Sequence, residues 1–138
     1  MAFCDSTTWQ MRLTVRDRTE VLDFVLTITN GEIRGDVRTA QNRRMSRVRG
    51  RCESIALQGL PDLARMSFVF RIRQGALQRG VAMSGFAYIP EGGGLARFQG
   101  GFRVFADDID LPAPDVGELI TLQAPDTGET GTGTGQQT

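Results

Sequence analysis

The sequence predicts an all-β protein, an up-and-down antiparallel β-barrel of about eight strands. Apolar and polar residues alternate along most of the 138-residue chain, and an Asn30-Gly31 pair separates two such runs. The apolar spacing of a long amphipathic helix is absent from the sequence. A period of two is typical of strands, and evenly spaced short strands joined by turns are typical of barrels. A two-sheet β-sandwich is the alternative fold, because alternation alone does not reveal whether a sheet closes.

The central hairpin spans residues 20–39. Asn-Gly is the commonest pair in a type I′ turn, since both central residues of that turn need a positive φ. If Thr29 pairs with Glu32, the inward residues of the two strands face one another. The facing pairs are then Leu22 with Thr39, Phe24 with Val37, Leu26 with Gly35 and Ile28 with Ile33. Turn and pattern therefore predict the same register.

The other strands follow the same alternation. Their predicted ranges are 9–17, 45–57, 64–73, 81–89 and 98–104, with 116–123 as a candidate eighth strand. The alternation breaks near residues 53–55, which predicts a bulge or a strand end.

The chain divides into three segments by composition. Residues 1–105 are predicted to form the barrel body, residues 106–124 an acidic linker with the candidate last strand, and residues 125–138 a tail rich in Gly and Thr. The tail has low complexity and cannot bury a core of its own, so we expect it to be a flexible C-terminal arm.

The net charge of zero conceals a separation of charge along the chain. All 16 basic residues are arginines at or before Arg103, and only nine of the 16 acids precede residue 106. The body therefore carries a charge of +7 and the remainder −7. This distribution would allow the acidic end to fold onto the basic body.

The sequence contains no histidine, which removes Ser-His-Asp and Cys-His catalysis, histidine metal sites and the usual general base near neutral pH. The glycines at 92–94 lack the Lys-Ser/Thr of a phosphate loop, and the acidic run at 107–110 lacks the spacing of a calcium loop. We therefore expect no enzymatic activity, no catalytic residue, no metal and no cofactor.

Residues 1–10 contain no apolar segment typical of a secretory signal, and no apolar run is long enough to span a membrane. We therefore expect a cytoplasmic protein, or one within an assembled particle, without a membrane partner. In that setting Cys4 and Cys52 are expected to be free thiols, with a disulfide between them as the alternative.

The predicted interior combines glycines with large apolar side chains. In a narrow barrel such a mixture of side chains can fill the interior, but an eight-stranded barrel can also hold one small ligand. A packed interior and a ligand cavity therefore both remain open. Almost no inward residue is polar, so an interior ligand would be apolar. The candidate ligand-binding residues are Trp9, Phe24, Thr39, Phe70, Met83 and Phe102.

Two outward-facing sets are candidates for surfaces that bind partners. The basic patch comprises Arg43, Arg44, Arg47, Arg49 and Arg51. It is a candidate surface for an acidic protein or for nucleic acid, and the alternatives are an ordinary charged outer face and a pairing site for the acidic C-terminal arm. Nucleic acid is the less favoured partner, because few outward aromatic residues are available for stacking. A second outward set is apolar and predicts a homo-oligomer interface. It comprises Val69, Phe86, Tyr88, Leu95 and Phe105.

The order of several short motifs resembles that of the avidin/streptavidin family, within the wider group of lipocalin-like barrels. The motifs are Thr8-Trp9, Gly31-x-x-x-Gly35, Val48-x-Gly50 with Glu53-Ser54, Met83-Ser84-Gly85, and Ala96-Arg97 leading to Phe102. The resemblance implies an eight-stranded barrel that assembles into oligomers.

Biotin itself is not implied by the resemblance. The polar residues that avidins place after the first-strand Trp correspond here to Met11, Arg12 and Leu13. Val37 stands at the third-strand Tyr, and Met83 and Phe102 stand at the later tryptophans. Each hydrogen bond left unmade to a buried ureido group would cost about 1–3 kcal/mol.

The sequence thus predicts a non-enzymatic barrel of avidin-like architecture that binds a protein or an apolar small molecule. The alternative is a structural subunit of a larger assembly, such as a viral or shell-like particle. A further alternative is nucleic-acid binding through the arginine-rich surface.

Overall fold

A computed structural model describes residues 4–5, 7–15, 18–38, 44–57, 60–74, 77–105 and 126–137. These residues form eight antiparallel strands, each paired with the next in sequence, and the last pairs with the first to close a barrel. The strands are β1 Thr7–Val15, β2 Arg18–Thr29, β3 Glu32–Arg38, β4 Arg44–Leu57, β5 Leu60–Gln74, β6 Leu77–Tyr88, β7 Arg97–Phe105 and β8 Asp126–Gln137. The prediction of an all-β, up-and-down barrel is confirmed, and closure excludes the sandwich.

The β2–β3 hairpin has the predicted turn and register. Asn30 has φ of 50° and Gly31 has φ of 78°, the left-handed values that a type I′ turn requires. Thr29 pairs with Glu32 and Ile28 with Ile33, and the ladder continues in that register along both strands. Thr39 lies outside the described residues, so its predicted pairing with Leu22 stays a prediction.

The strand that closes the barrel differs from the predicted one. Residues 116–123 lie outside the described residues, whereas β8 lies within the Gly/Thr-rich tail that was expected to be a flexible arm. This tail pairs with both β1 and β7 instead of forming an arm. Gly135, Gly133 and Gly131 lie opposite Phe98, Gly100 and Phe102 of β7, while Thr130, Thr132 and Thr134 are exposed. The tail thus has a period of two, but it carries no apolar side chain to reveal that period.

The barrel interior is filled by large side chains from most strands. Trp9, Phe24 and Phe68 are almost completely buried, as are Leu26, Ile28, Ile33, Met66, Met83 and Phe98. Fully burying one such side chain contributes about 1.5–3 kcal/mol relative to leaving it exposed.

Inward glycines allow neighbouring strands to approach closely. A Cβ atom added at Gly85 would lie 2.5 Å from Cα of Gly100 and would also clash with the carbonyl oxygen of Gln99. At Gly50 an added Cβ would lie 2.5 Å from Cβ of Phe68. These positions accept only glycine, because the atoms in the way belong to neighbouring strands rather than to the ends of flexible side chains.

Cys4 and Cys52 form a disulfide, with their Cα atoms 5.4 Å apart, so the expectation of two free thiols is wrong. The hairpin turn lies between them: the Gly31 N–H donates to the carbonyl oxygen of Cys4 at 2.9 Å, and the Cys52 N–H donates to that of Gly31 at 2.8 Å. Spacing along the sequence did not reveal this pairing, because it depends on β4 lying beside the turn of the central hairpin.

We predict that Gly85→Ala lowers the free energy of unfolding by about 1–3 kcal/mol, because the new methyl group overpacks the β6–β7 contact. Gly101→Ala is the matched control, since a Cβ there meets only the carbonyl oxygen of Gly131 at 3.6 Å. Urea denaturation measures both variants. Equal losses in the two would contradict the close approach at Gly85.

We also predict that breaking the disulfide lowers the free energy of unfolding. The bond joins residues 48 positions apart. For a loop of that size the chain-entropy model gives about 4 kcal/mol. Denaturation with and without dithiothreitol measures the loss, and the Cys4→Ser/Cys52→Ser variant should not respond to the reductant. Two titratable thiols in the denatured, unreduced protein would contradict the bond.

Candidate functional site

The structure places five of the six candidate ligand-binding residues inside the barrel, and Thr39 lies outside the described residues. Trp9, Phe24, Phe70, Met83 and Phe102 are all buried. Met83 pairs with Phe102 across β6 and β7, and Trp9 lies on β1 opposite Leu26 of β2.

Two of these side chains, Phe24 and Phe70, belong to a packed aromatic cluster. The ring centroids of Phe24 and Phe70 are 4.8 Å apart, and those of Phe24 and Phe68 are 6.1 Å apart. Phe98 extends the cluster at 5.9 Å from Phe68. Such separations are typical of stabilising aromatic pairs. Phe68 and Phe98 were not among the candidate residues, although the alternation of their strands places both of them inside the barrel.

The outer surface carries the charged groups. Arg47, Arg49 and Arg51 project from the outer face of β4 and are exposed. Arg44 begins β4, but its side chain lies outside the description, and Arg43 lies outside it altogether. Three of the five residues of the predicted basic patch are therefore placed together on one strand.

Neighbouring strands extend this row into a wider surface. On β3, Asp36, Arg34 and Glu32 pair with Arg47, Arg49 and Arg51 in that order. We use the name arginine face for the outward side chains of β3–β5, which comprise Arg34, Arg38, Arg47, Arg49, Arg51, Arg65 and Arg71 with Glu32, Asp36 and Glu53. The described side chains of this surface include seven arginines and three acids, so their summed charge is positive.

Glu32 and Asp36, the two acids of the arginine face that lie on β3, contact arginines of the same strand. The Arg34 guanidinium lies 2.5 Å from the Glu32 carboxylate, and that of Arg38 lies 3.5 Å from Asp36. Exposed pairs of this kind contribute about 0–1 kcal/mol each. They leave the excess of positive charge on β4 and β5 in place.

An aromatic side chain borders the arginine face. Arg65 and Phe86 are cross-strand partners, and the guanidinium carbon lies 5.6 Å from the centroid of the Phe86 ring. At an exposed site a cation–π contact of this kind is worth about 0.5–1 kcal/mol. Phe86 remains 44% exposed, so part of its ring is available to a partner.

The predicted apolar interface is only partly at the surface. Phe86 and Leu95 are exposed and Tyr88 is half-buried, but Val69 and Phe105 are buried, so their assignment to an exposed interface is wrong. Phe105 follows a register shift in the β7–β8 ladder, and a shift of this kind breaks the simple alternation of faces.

By the alternation of β5, Val69 faces outward, and it lies beside Ala82 of β6, which is equally buried. Alternation along a strand predicts which face a residue occupies, but it does not predict what covers that face.

Among the described residues, no three Cys, Asp or Glu side chains are grouped as a metal site would require. No helix in the described part of the chain is long and apolar enough to cross a membrane.

Comparison with known proteins finds no matching family model, no matching curated protein and no matching solved structure. The closed eight-stranded antiparallel barrel agrees with the architecture that the avidin-like motifs implied. That agreement concerns the shape of the barrel and does not identify a family.

Proposed function

We propose that this chain is a non-enzymatic binding module whose arginine face binds an acidic segment of a protein partner. The exposed row of Arg47, Arg49 and Arg51 on a rigid strand is the observation that carries the proposal. Arginine presents a planar set of donors that matches a carboxylate in a bidentate geometry, and three such groups at alternate positions suit an extended acidic chain.

The packing of the interior supports an outer binding surface. The rings of Phe24, Phe68 and Phe70 pack against one another in the interior. An apolar small ligand within the barrel is therefore less well supported than a partner on its wall. Arg65 and Phe86 supply the arginine and aromatic side chains that commonly dominate the energetics of protein interfaces.

We predict that Arg47→Glu weakens binding of a labelled oligoglutamate peptide about tenfold, equivalent to about 1.4 kcal/mol. Fluorescence anisotropy at low ionic strength measures the affinity, which should fall as salt is added. Arg97→Glu is the matched control, because Arg97 is an exposed arginine on β7 and its reversal changes the net charge by the same amount. We expect less than a twofold effect there.

Equal weakening by the two reversals would contradict a localised site, since it would indicate attraction by net charge alone. Tighter binding of a single-stranded oligonucleotide of equal charge would favour nucleic acid and overturn the proposal. Thermal melting of both variants checks that the barrel is intact.

A second candidate function is assembly of copies of this chain, and the exposure of Phe86 and Leu95 favours it. Apolar side chains at the centre of a symmetric interface would be covered by a second copy. Under this hypothesis the exposed surface around β6 is the contact between subunits.

We predict that Phe86→Asp converts an oligomer into monomers, because the interface would then bury an unpaired charge. Native mass spectrometry measures the stoichiometry. Val25→Asp is the control, since Val25 is 48% exposed but lies on β2. A wild-type protein that is already monomeric, or an oligomer that survives Phe86→Asp, would contradict this interface.

We further propose that the chain works in an oxidising compartment, in place of the reducing cytoplasm expected from the sequence. The Cys4–Cys52 bond supports this proposal, because structural disulfides persist mainly outside the cytosol.

A further inference from the structure

The Cys4–Cys52 bond lies at one end of the barrel, where the chain enters its first strand. Cys4 precedes β1, whose Thr7 pairs with Ile28 next to the turn of the central hairpin. Cys52 lies on β4, three strands further round the wall. In the closed barrel the neighbours of β1 are β2 and β8, so the Cys4 segment has to cross the end of the barrel to reach Cys52.

Both cysteines belong to the buried core at this end. Cys4 is 8% exposed and Cys52 is 7% exposed, and they share a cluster with Ile28, Ile33 and Met66. Met66 is the cross-strand partner of Cys52, and Ile28 pairs with Ile33 beside the hairpin turn. Cys4 therefore adds a buried side chain to this end of the interior from outside the strands.

The Cys4 segment is held differently from the strands. Cys4 and Asp5 lie outside the eight strands, so no ladder of backbone hydrogen bonds holds them. Cys4 is held by its bond to Cys52 and by the Gly31 N–H, which donates to the Cys4 carbonyl oxygen at 2.9 Å. The ladders of β1 include residues from Thr7 onwards and neither of these contacts. Loss of the disulfide therefore loosens the Cys4 segment while the closed sheet keeps its own hydrogen bonds.

We propose that this bond is a redox-controlled latch. Its reduction releases the Cys4 segment from the end of the barrel, and its reformation closes that end again. In an oxidising compartment the latch stays closed, and it opens when the chain meets a dithiol reductant. Local opening of this kind breaks the contacts of one segment and does not require the barrel to unfold.

The chemistry of the latch is thiol–disulfide exchange. A thiolate of the dithiol attacks one sulfur of the bond, forms a mixed disulfide with that cysteine and displaces the other cysteine as a thiolate. The second thiolate of the reductant then attacks the mixed disulfide and releases the first cysteine. The dithiol is oxidised to a disulfide, and Cys4 and Cys52 together take up its two electrons and two protons.

Opening the latch changes the surface that this end of the barrel presents. The Gly31 N–H loses its acceptor, and Ile28, Ile33 and Met66, all 0% exposed in the oxidised protein, lose a member of their buried cluster. Newly exposed apolar surface is a feature that partners recognise. The latch thus couples redox state to apolar exposure at the end of the barrel, and it does not depend on the arginine face of the outer wall.

The test is hydrogen exchange of the full chain, oxidised and after reduction with dithiothreitol, in the absence of denaturant. We expect the Gly31 amide to exchange at least about tenfold faster after reduction, because its acceptor has left. The amides of the β5–β6 and β7–β8 ladders should keep their protection. Binding of the dye anilinonaphthalene sulfonate should rise on reduction, since it reports exposed apolar surface, and reoxidation should reverse both changes.

Two variants separate the effect of the bond from that of the reductant. Cys4→Ser/Cys52→Ser should show the fast Gly31 exchange and the dye binding without reductant, and dithiothreitol should change neither. In Cys4→Ala the single thiol of Cys52 should react with a maleimide in the folded protein, because the segment beside it has been released. Ala87→Cys in the Cys4→Ser/Cys52→Ser background is the control, since residue 87 is 0% exposed on β6 and its thiol should stay unreactive.

The proposal has several ways to fail. Loss of protection throughout the ladders on reduction would overturn it, because the bond would then stabilise the whole barrel rather than one segment. Unchanged exchange at Gly31, or an unreactive Cys52 in folded Cys4→Ala, would overturn it by showing that this end stays closed without the bond. Resistance of the bond to dithiothreitol in the folded protein, together with reduction in urea, would overturn it because the latch would then be unable to open.

Discussion

The rest of the barrel depends on how glycines and aromatic rings share its interior. Gly85, Gly100 and Gly133 lie opposite one another across β6, β7 and β8. The Phe98 ring lies over Gly100, where an added Cβ would be 2.8 Å from its Cζ atom. The inward glycines leave room for the large aromatic rings. The rings in turn provide β8 with an apolar surface, which the sequence of β8 itself lacks. Closure follows, because β8 then pairs with β1 and β7 and no sheet edge is left exposed.

The sequence predicts those strands whose own residues alternate between apolar and polar. In the central hairpin the apolar alternation and the Asn30-Gly31 turn are encoded locally, so turn and register could both be derived. In β8, Gly131, Gly133 and Gly135 lie opposite Phe102, Gly100 and Phe98 of β7, and a glycine carries no apolar side chain that could predict this position from the sequence. The disulfide is non-local in the same way, because Cys4 meets Cys52 only after β4 has paired beside the hairpin.

The sequence predicts on which face of the barrel a residue lies, but it does not predict whether that residue is exposed. Arg47, Arg49 and Arg51 were placed correctly, because alternate residues of a regular strand share one side. Val69 satisfies the same rule and is buried, and Phe105 follows a shift in register. Exposure depends on what packs over a residue, and alternation carries no information about that.

The position of the proposed binding surface follows from the geometry of the barrel. Eight strands enclose a volume that either side chains or one small ligand can fill, and here the rings of Phe24, Phe68 and Phe70 pack against one another inside it. The outer wall offers a side chain at every second position of a strand. On β4 that spacing places Arg47, Arg49 and Arg51 in one exposed row. The proposed partner is an extended acidic segment for this reason, because an extended chain also presents alternate side chains on one side.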